Sequence, residues 1–147
     1  SLGLVGSEMC IRDRLDTYDD VPEKILEMRK SLEASEKIII FSPVYNGGFL
    51  AHLKNTLDWL SLAYDENRYS ALFKEKKVAV VTTVKGAGSN AKKAFEILSM
   101  QLSNYDLQVF EKFHLITKSE HQNEKSILNN QDVIESLNSY AEEFLDL

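Results

Sequence analysis

Glu36 to Ser61 reads EKIIIFSPVYNGGFLAHLKNTLDWLS, and this stretch decides the fold. Ile38 to Phe41 is a continuous apolar run, bounded by Glu36 and Lys37 on one side and by Pro43 on the other. A short run without polar alternation suits a strand buried on both faces, as in a parallel sheet. The strand is therefore placed at Glu36 to Ser42, with Pro43 stopping it. Tyr45-Asn46-Gly47-Gly48 then supplies turn formers. Leu50, Leu53, Leu57 and Leu60 follow in steps of three, four and three, the spacing of one helical face. The unit is strand, turn, helix.

The same alternation extends in both directions. Upstream, Val21, Ile25, Met28 and Leu32 mark an amphipathic helix, with Asp20 as its cap, Pro22 in the first turn and Glu23 at the reciprocal capping position. Downstream, Lys77 to Thr83 (KVAVVTT) is a second buried strand. Ala91, Ala94, Phe95, Leu98 and Leu102 mark a third helix, capped by Ser89 or Asn90. Leu107 to Ile116 is a third strand, less purely apolar and so nearer a sheet edge. Lys118 to Asn130 reads as a polar loop, and Val133, Ile134, Leu137, Tyr140 and Phe144 mark a last helix. Strands separated by helical crossovers predict an α/β fold: a parallel sheet with helices on both faces, about three strands and four helices.

Composition narrows the function. The chain has 147 residues, 44% hydrophobic, enough for one domain with a real core. Its formal charge is −6 and no Lys/Arg cluster stands out, which argues against a nucleic-acid partner. No apolar run approaches the roughly 20 residues of a membrane-spanning helix. The single cysteine, Cys10, cannot form an internal disulfide, so a reducing cytoplasm is the expected compartment. His52, His114 and His121 lack metal-ligand spacing, and no metal site is expected.

The first residues stand apart. Ser1 to Arg14 (SLGLVGSEMCIRDR) has no sustained period and no basic region before its short apolar stretch, so it is not a secretory signal. The codons GTG GGC TCG GAG ATG TGT ATA AGA GAC AGG spell Val5 to Arg14, and that DNA resembles the transposon-end adapter of sequencing libraries. The expectation is that residues 1–14 are translated adapter and that residues 15–147 are the protein proper.

Two loops leave the carboxyl ends of the predicted strands, where ligands bind in open α/β sheets. In Ser42-Pro43-Val44-Tyr45-Asn46-Gly47-Gly48, both glycines permit close backbone approach, with amides aimed outward at the next helix's N-terminus. Tyr45 offers an aromatic face, and Asn46 a donor and an acceptor. Thr82-Thr83-Val84-Lys85-Gly86-Ala87-Gly88-Ser89 brings glycines and hydroxyls to another helix start. Side by side, the two could cradle a flat polar ring. On composition alone they read equally well as ordinary strand-to-helix turns.

Ser42 to Ser61 also resembles the signature of the NADPH-dependent FMN reductase family, approximately P-E-Y-N-G-S-x-P-G-x-L-K-N-x-x-D-W. Pro43, Tyr45, Asn46, Gly47, Leu53, Lys54, Asn55, Asp58 and Trp59 all fall in register. Val44 stands where the family commonly has Glu, and Leu50 where it has a second Pro. The resemblance implies a flavodoxin-like three-layer fold with FMN and NAD(P)H as cofactors. It also implies hydride transfer to a flavin, quinone or similar small-molecule acceptor, and a homodimer in the full-length protein. It assigns cofactor binding to Pro43, Val44, Tyr45, Asn46, Gly47, Thr82, Thr83 and Gly86, with no obligatory catalytic acid or base. Lys54 and Asn55 are expected to fix the loop to the helix through backbone carbonyls, and Trp59 to pack in the core or at a subunit contact. Lys85 reads as an ordinary solvated lysine.

The family opens with a strand and a Ser/Arg-rich loop for the FMN phosphate, and no such segment is read before Leu15. The expectation is an incomplete fold lacking its first β-α-β unit. The strand at Glu36 to Ser42 would then be an unpaired apolar edge prone to association. A non-catalytic flavodoxin-like module, either an electron carrier or a flavin-less interaction domain, is the alternative to the enzyme.

Overall fold

The computed structural model describes residues 21–63, 67–84, 88–117 and 129–147. Their elements run α1 (Glu23–Glu33), β1 (Lys37–Pro43), α2 (Ala51–Leu60), a 3-10 turn (Ala71–Phe73), β2 (Lys77–Val84), α3 (Ala91–Ser103), β3 (Gln108–Thr117) and α4 (Gln131–Leu145). The three strands form one parallel sheet in the order β1-β2-β3. Parallel neighbours cannot be joined by a hairpin, so α2 and α3 serve as the crossovers. The α/β architecture read from the sequence is the one observed. Ser1 to Arg14 and the caps and loops at Asp20, Lys85 to Ala87 and residues 118–128 lie outside the described residues.

β2 is central and buried on both sides. Val78 and Val80 face Ile25 of α1, Leu57, Trp59 and Leu60 of α2, and Leu98 and Leu102 of α3. Ala79 and Val81 face Phe110, Tyr140 and Phe144, the last two on α4. Three helices thus cover one face and α4 the other, giving three layers. β3 is an edge of this sheet, as its weaker apolar pattern suggested.

β1 ends one residue later than expected, and Pro43 belongs to it. Pro43 pairs in register with Thr83, and the Val44 N–H donates to the Thr83 carbonyl at 2.9 Å. Alternate residues of a parallel strand bond to one neighbour, so the ladder toward β2 passes through Ser42 and Val44, and proline's missing N–H costs it nothing. Among the described residues β1 pairs with β2 alone, and Phe41 is 65% exposed.

Asn90 stands at the start of α3, one of the two positions expected there, but the capping bonds differ from expectation. α1 has Pro22 at its N-cap and α3 has Asn90, and neither makes a side-chain capping bond. The Ala91 N–H donates instead to the Gly88 carbonyl at 2.9 Å. Asn130, assigned from sequence to a polar loop, caps α4 by accepting from the Val133 N–H at 3.2 Å. Met28, expected on the buried stripe of α1, stands exposed.

Lys37 and Lys77 are register partners on adjacent strands, a like-charge pairing that would ordinarily be unfavourable. Both reach the carboxyl end of α4: Lys37 donates to the Leu145 carbonyl, and Lys77 to Leu147 O at 2.7 Å. The negative end of the helix dipole takes up both charges.

The β2–β3 pairing carries an irregularity. Val78 pairs with Val109 but Val80 pairs with Phe113, so β3 spends extra residues over the same span. The Tyr140 hydroxyl fills the break, accepting from the Val80 N–H at 3.1 Å. It lies 3.0 Å from the Val80 carbonyl and 3.1 Å from that of Lys112, to one of which it donates. Burial pushes the phenol's pKa up, so the donor is retained. Tyr140→Phe leaves a buried N–H unpaired and should cost about 1–3 kcal/mol in chemical denaturation. A cost below about 0.5 kcal/mol would mean that water replaces the hydroxyl and the strap is dispensable.

Candidate functional site

β1 and β2 end side by side because they are parallel and in register through Pro43 and Thr83. Both loops therefore leave the same rim of the sheet, each entering the N-terminus of a helix, α2 or α3.

The first loop is a closed turn. Tyr45 and Gly48 exchange both backbone hydrogen bonds, each 3.0 Å, across the two central residues Asn46 and Gly47. Those residues have φ of 51° and 79°. Two consecutive positive φ values between a bonded pair make a type I′ turn, for which Asn-Gly is the favoured sequence. This corrects the expectation for Gly48, whose N–H is spent on the Tyr45 carbonyl. The central N–H groups, of Asn46 and Gly47, lie outside that pair. A Cβ built on Gly47 would meet no atom of the described residues within 4 Å, so among them the space over the turn is open. Tyr45 is 65% exposed beside it.

The second loop is described at its two ends. Thr83 is half-buried and its carbonyl holds the Val44 N–H. Gly86, expected to approach a ligand, lies outside the described residues with Lys85. Gly88 has φ of 78°, and a Cβ there would sit 2.8 Å from Leu115 Cδ2. The glycine is favoured by its conformation, and a Cβ there would also make the end of the Leu115 side chain shift. Sequence reading placed Gly88 in this loop at the helix start but gave it no particular role.

Thr82 is placed differently from Thr83. It is 3% exposed, and its hydroxyl donates to the Ser42 carbonyl at 2.8 Å. Its polar group is committed across the two strands, directly beneath the point where both loops depart.

The signature residues of α2 are also placed. Lys54 does not bond to backbone carbonyls as expected. Its ammonium lies 2.6 Å from both oxygens of Asp58, one helical turn on. Asp58 also accepts from the Tyr105 hydroxyl at 2.9 Å, which in turn accepts from Gln101 Nε2 at 3.1 Å. Burial, helped by the Asp58 carboxylate, pushes the Tyr105 pKa up to about 12, so the phenol remains a donor. The chain of bonds ties α2 to the end of α3. Trp59 packs in the core. His114 sits half-buried against the Tyr140 ring, and burial lowers its pKa. Among the described residues, no three His, Cys, Asp or Glu side chains converge to hold a metal, and no helix is long and apolar enough to cross a membrane.

The chain matches the NADPH-dependent FMN reductase family over residues 3–121. It belongs to that family. Over 56 residues this FMN reductase family member is 43% identical to FMN-dependent NADH:quinone oxidoreductase 6 of Burkholderia lata, a match covering 35% of the chain and 28% of the relative. Its fold is similar to that of FerB, a flavoenzyme NAD(P)H:(acceptor) oxidoreductase from Paracoccus denitrificans. The TM-score is 0.69 at 22% identity, over 88% of this chain and 69% of that one. General stress protein 14 of Treponema denticola, solved in complex with FMN, aligns with a TM-score of 0.59 at 15% identity, over 86% of this chain and 75% of that one. The chain thus spans under a third of the Burkholderia relative's length and about two thirds of FerB's. The flavodoxin-like α/β fold of the family is the one seen here, carried by the parallel sheet and its crossover helices.

Proposed function

We propose that the protein binds FMN at the rim formed by the two loops and passes hydride from NAD(P)H to a small-molecule acceptor, a flavin or a quinone. One observation carries the reading: the Asn46-Gly47 turn stands at its place in the family signature, with open space above Gly47 and two central N–H groups outside the turn's own bonded pair. That geometry fits a flat ring bearing hydrogen-bond acceptors on its edge. Pro43, Val44, Tyr45, Asn46 and Gly47 would hold it from one side, and Thr83 and Gly86 from the other. When bound, FMN supplies the hydride chemistry. The protein's part is position and electrostatics: donors aimed at the ring edge, and the exposed face of Tyr45 beside it. No side chain has to hold or move a proton. The bound FMN in the Treponema structure and the quinone oxidoreductase name of the Burkholderia relative support the same assignment. A cytoplasmic homodimer belongs to this proposal.

The test is a titration with FMN followed by flavin fluorescence, then NADPH oxidation with a small quinone. Binding in the micromolar range or tighter and quinone-dependent NADPH consumption are expected. Asn46→Ala should weaken FMN binding about three- to tenfold, because alanine loses the amide side chain and tolerates the φ of 51° poorly. Unchanged affinity would remove Asn46 from the site. FMN binding without NADPH consumption would leave the non-catalytic electron carrier as the function.

A further inference from the structure

We propose that Thr82 is a positioning residue that sets the first flavin loop through the Ser42 carbonyl and does not itself touch the cofactor, an inference that rests on the flavin reading above. Thr82 is almost fully buried, and a side chain with 3% exposure has no free surface to offer a ligand. Its hydroxyl is spent on the Ser42 carbonyl, 2.8 Å away. Ser42 is the last residue before Pro43 and stands three residues before Tyr45. Pro43 cannot donate a backbone bond of its own. Between the paired body of β1 and the closed turn, two bonds join β1 to β2 besides the backbone ladder at Ser42 and Pro43. One is the Thr82 hydroxyl on Ser42, and the other is the Val44 N–H on the Thr83 carbonyl. The strap fixes the direction in which the chain leaves the sheet, and with it the height of Asn46 and Gly47 above the rim. Serine keeps the hydroxyl, whereas valine keeps the branched shape and loses the bond. The Ser42 carbonyl remains in the ladder after that loss, so the fold itself should change little.

The experiment compares the chain with Thr82→Val and Thr82→Ser by FMN titration and by amide hydrogen exchange without FMN. Thr82→Val should weaken FMN binding about fivefold, as the loss of one hydrogen bond implies. It should also speed exchange at Val44, whose N–H donates to the Thr83 carbonyl, and at Tyr45 and Gly48, which bond each other across the turn, while Val78 to Val81 exchange as before. Thr82→Ser should restore both. Weaker binding with unchanged loop exchange would mean that the hydroxyl touches the flavin, and would overturn the proposal. So would faster exchange throughout β2, or a serine variant no better than valine. If the parent chain takes up no FMN, the flavin reading fails, and the exchange pattern alone still decides whether Thr82 holds the loop.

Discussion

Phe144→Ala should cost about 3–5 kcal/mol, the range for deleting a buried phenylalanine. Phe144 is wholly buried, its ring centroid 5.7 Å from that of Phe110. The face of the sheet that it covers has a small core: Ala79, Val81, Phe110 and Tyr140 besides Phe144 itself. Two of those are small residues of β2 that cannot swing into the gap, so the cavity stays largely open. α4 supplies the cover on that face, where Leu137 packs as well, and among the described residues it is also tied by the Tyr140 hydroxyl, the Lys112–Glu143 ion pair and the two lysine contacts at its end. The ion pair is exposed and screened by water, so it cannot replace the lost burial. Domains of this kind have about 5–15 kcal/mol in total, so the substitution removes a large share. Urea denaturation of the variant measures it. A loss below about 1.5 kcal/mol would mean that α4 repacks freely, and Phe144→Leu should recover most of the deficit because it keeps most of the volume.

Legibility in the sequence followed the physics of each element. Val78 to Val81 was readable as a strand because a parallel strand with helices on its faces loses its polar alternation, whereas Ile38 to Phe41 carries the same pattern but is only partly buried, with Phe41 exposed. The burial of β2 hid which way Thr82 and Thr83 point: with both faces apolar, no period of two remains to separate them. The two residues were read alike, and the sheet sends one hydroxyl into a cross-strand bond and leaves the other half-buried at the rim. Asn46-Gly47 was legible as a turn. Which glycine would keep its amide free was not, because that depends on where the Tyr45–Gly48 pair closes. The break between β2 and β3 has no sequence signal of its own, since the group that fills it comes from Tyr140, sixty residues away. The capping bonds, though not the position of Asn90, were hidden for a related reason: Pro22 and Asn90 stand at helix starts where backbone bonds to the Pro22 and Gly88 carbonyls take the place of side-chain capping.

Gly47→Val should lower FMN affinity at least about tenfold while leaving the protein folded. Gly47 has φ of 79°, a conformation that costs a β-branched residue on the order of 1–3 kcal/mol. Among the described residues the penalty is conformational alone, because a Cβ at this position meets none of their atoms within 4 Å. Valine escapes the strain by opening the turn, which breaks the Tyr45–Gly48 pair and moves Asn46. The turn is a surface feature outside the two buried clusters, so global stability should fall only modestly. Gly47→Asn separates the two consequences. Asparagine tolerates the left-handed region and should keep the turn closed, yet its side chain enters the open space above it. If the flavin approaches the backbone there, Gly47→Asn is nearly as stable as the parent chain but binds FMN poorly. If it binds FMN like the parent, the open space above Gly47 is not where the flavin lies, and the weakness of Gly47→Val comes from the moved Asn46 alone.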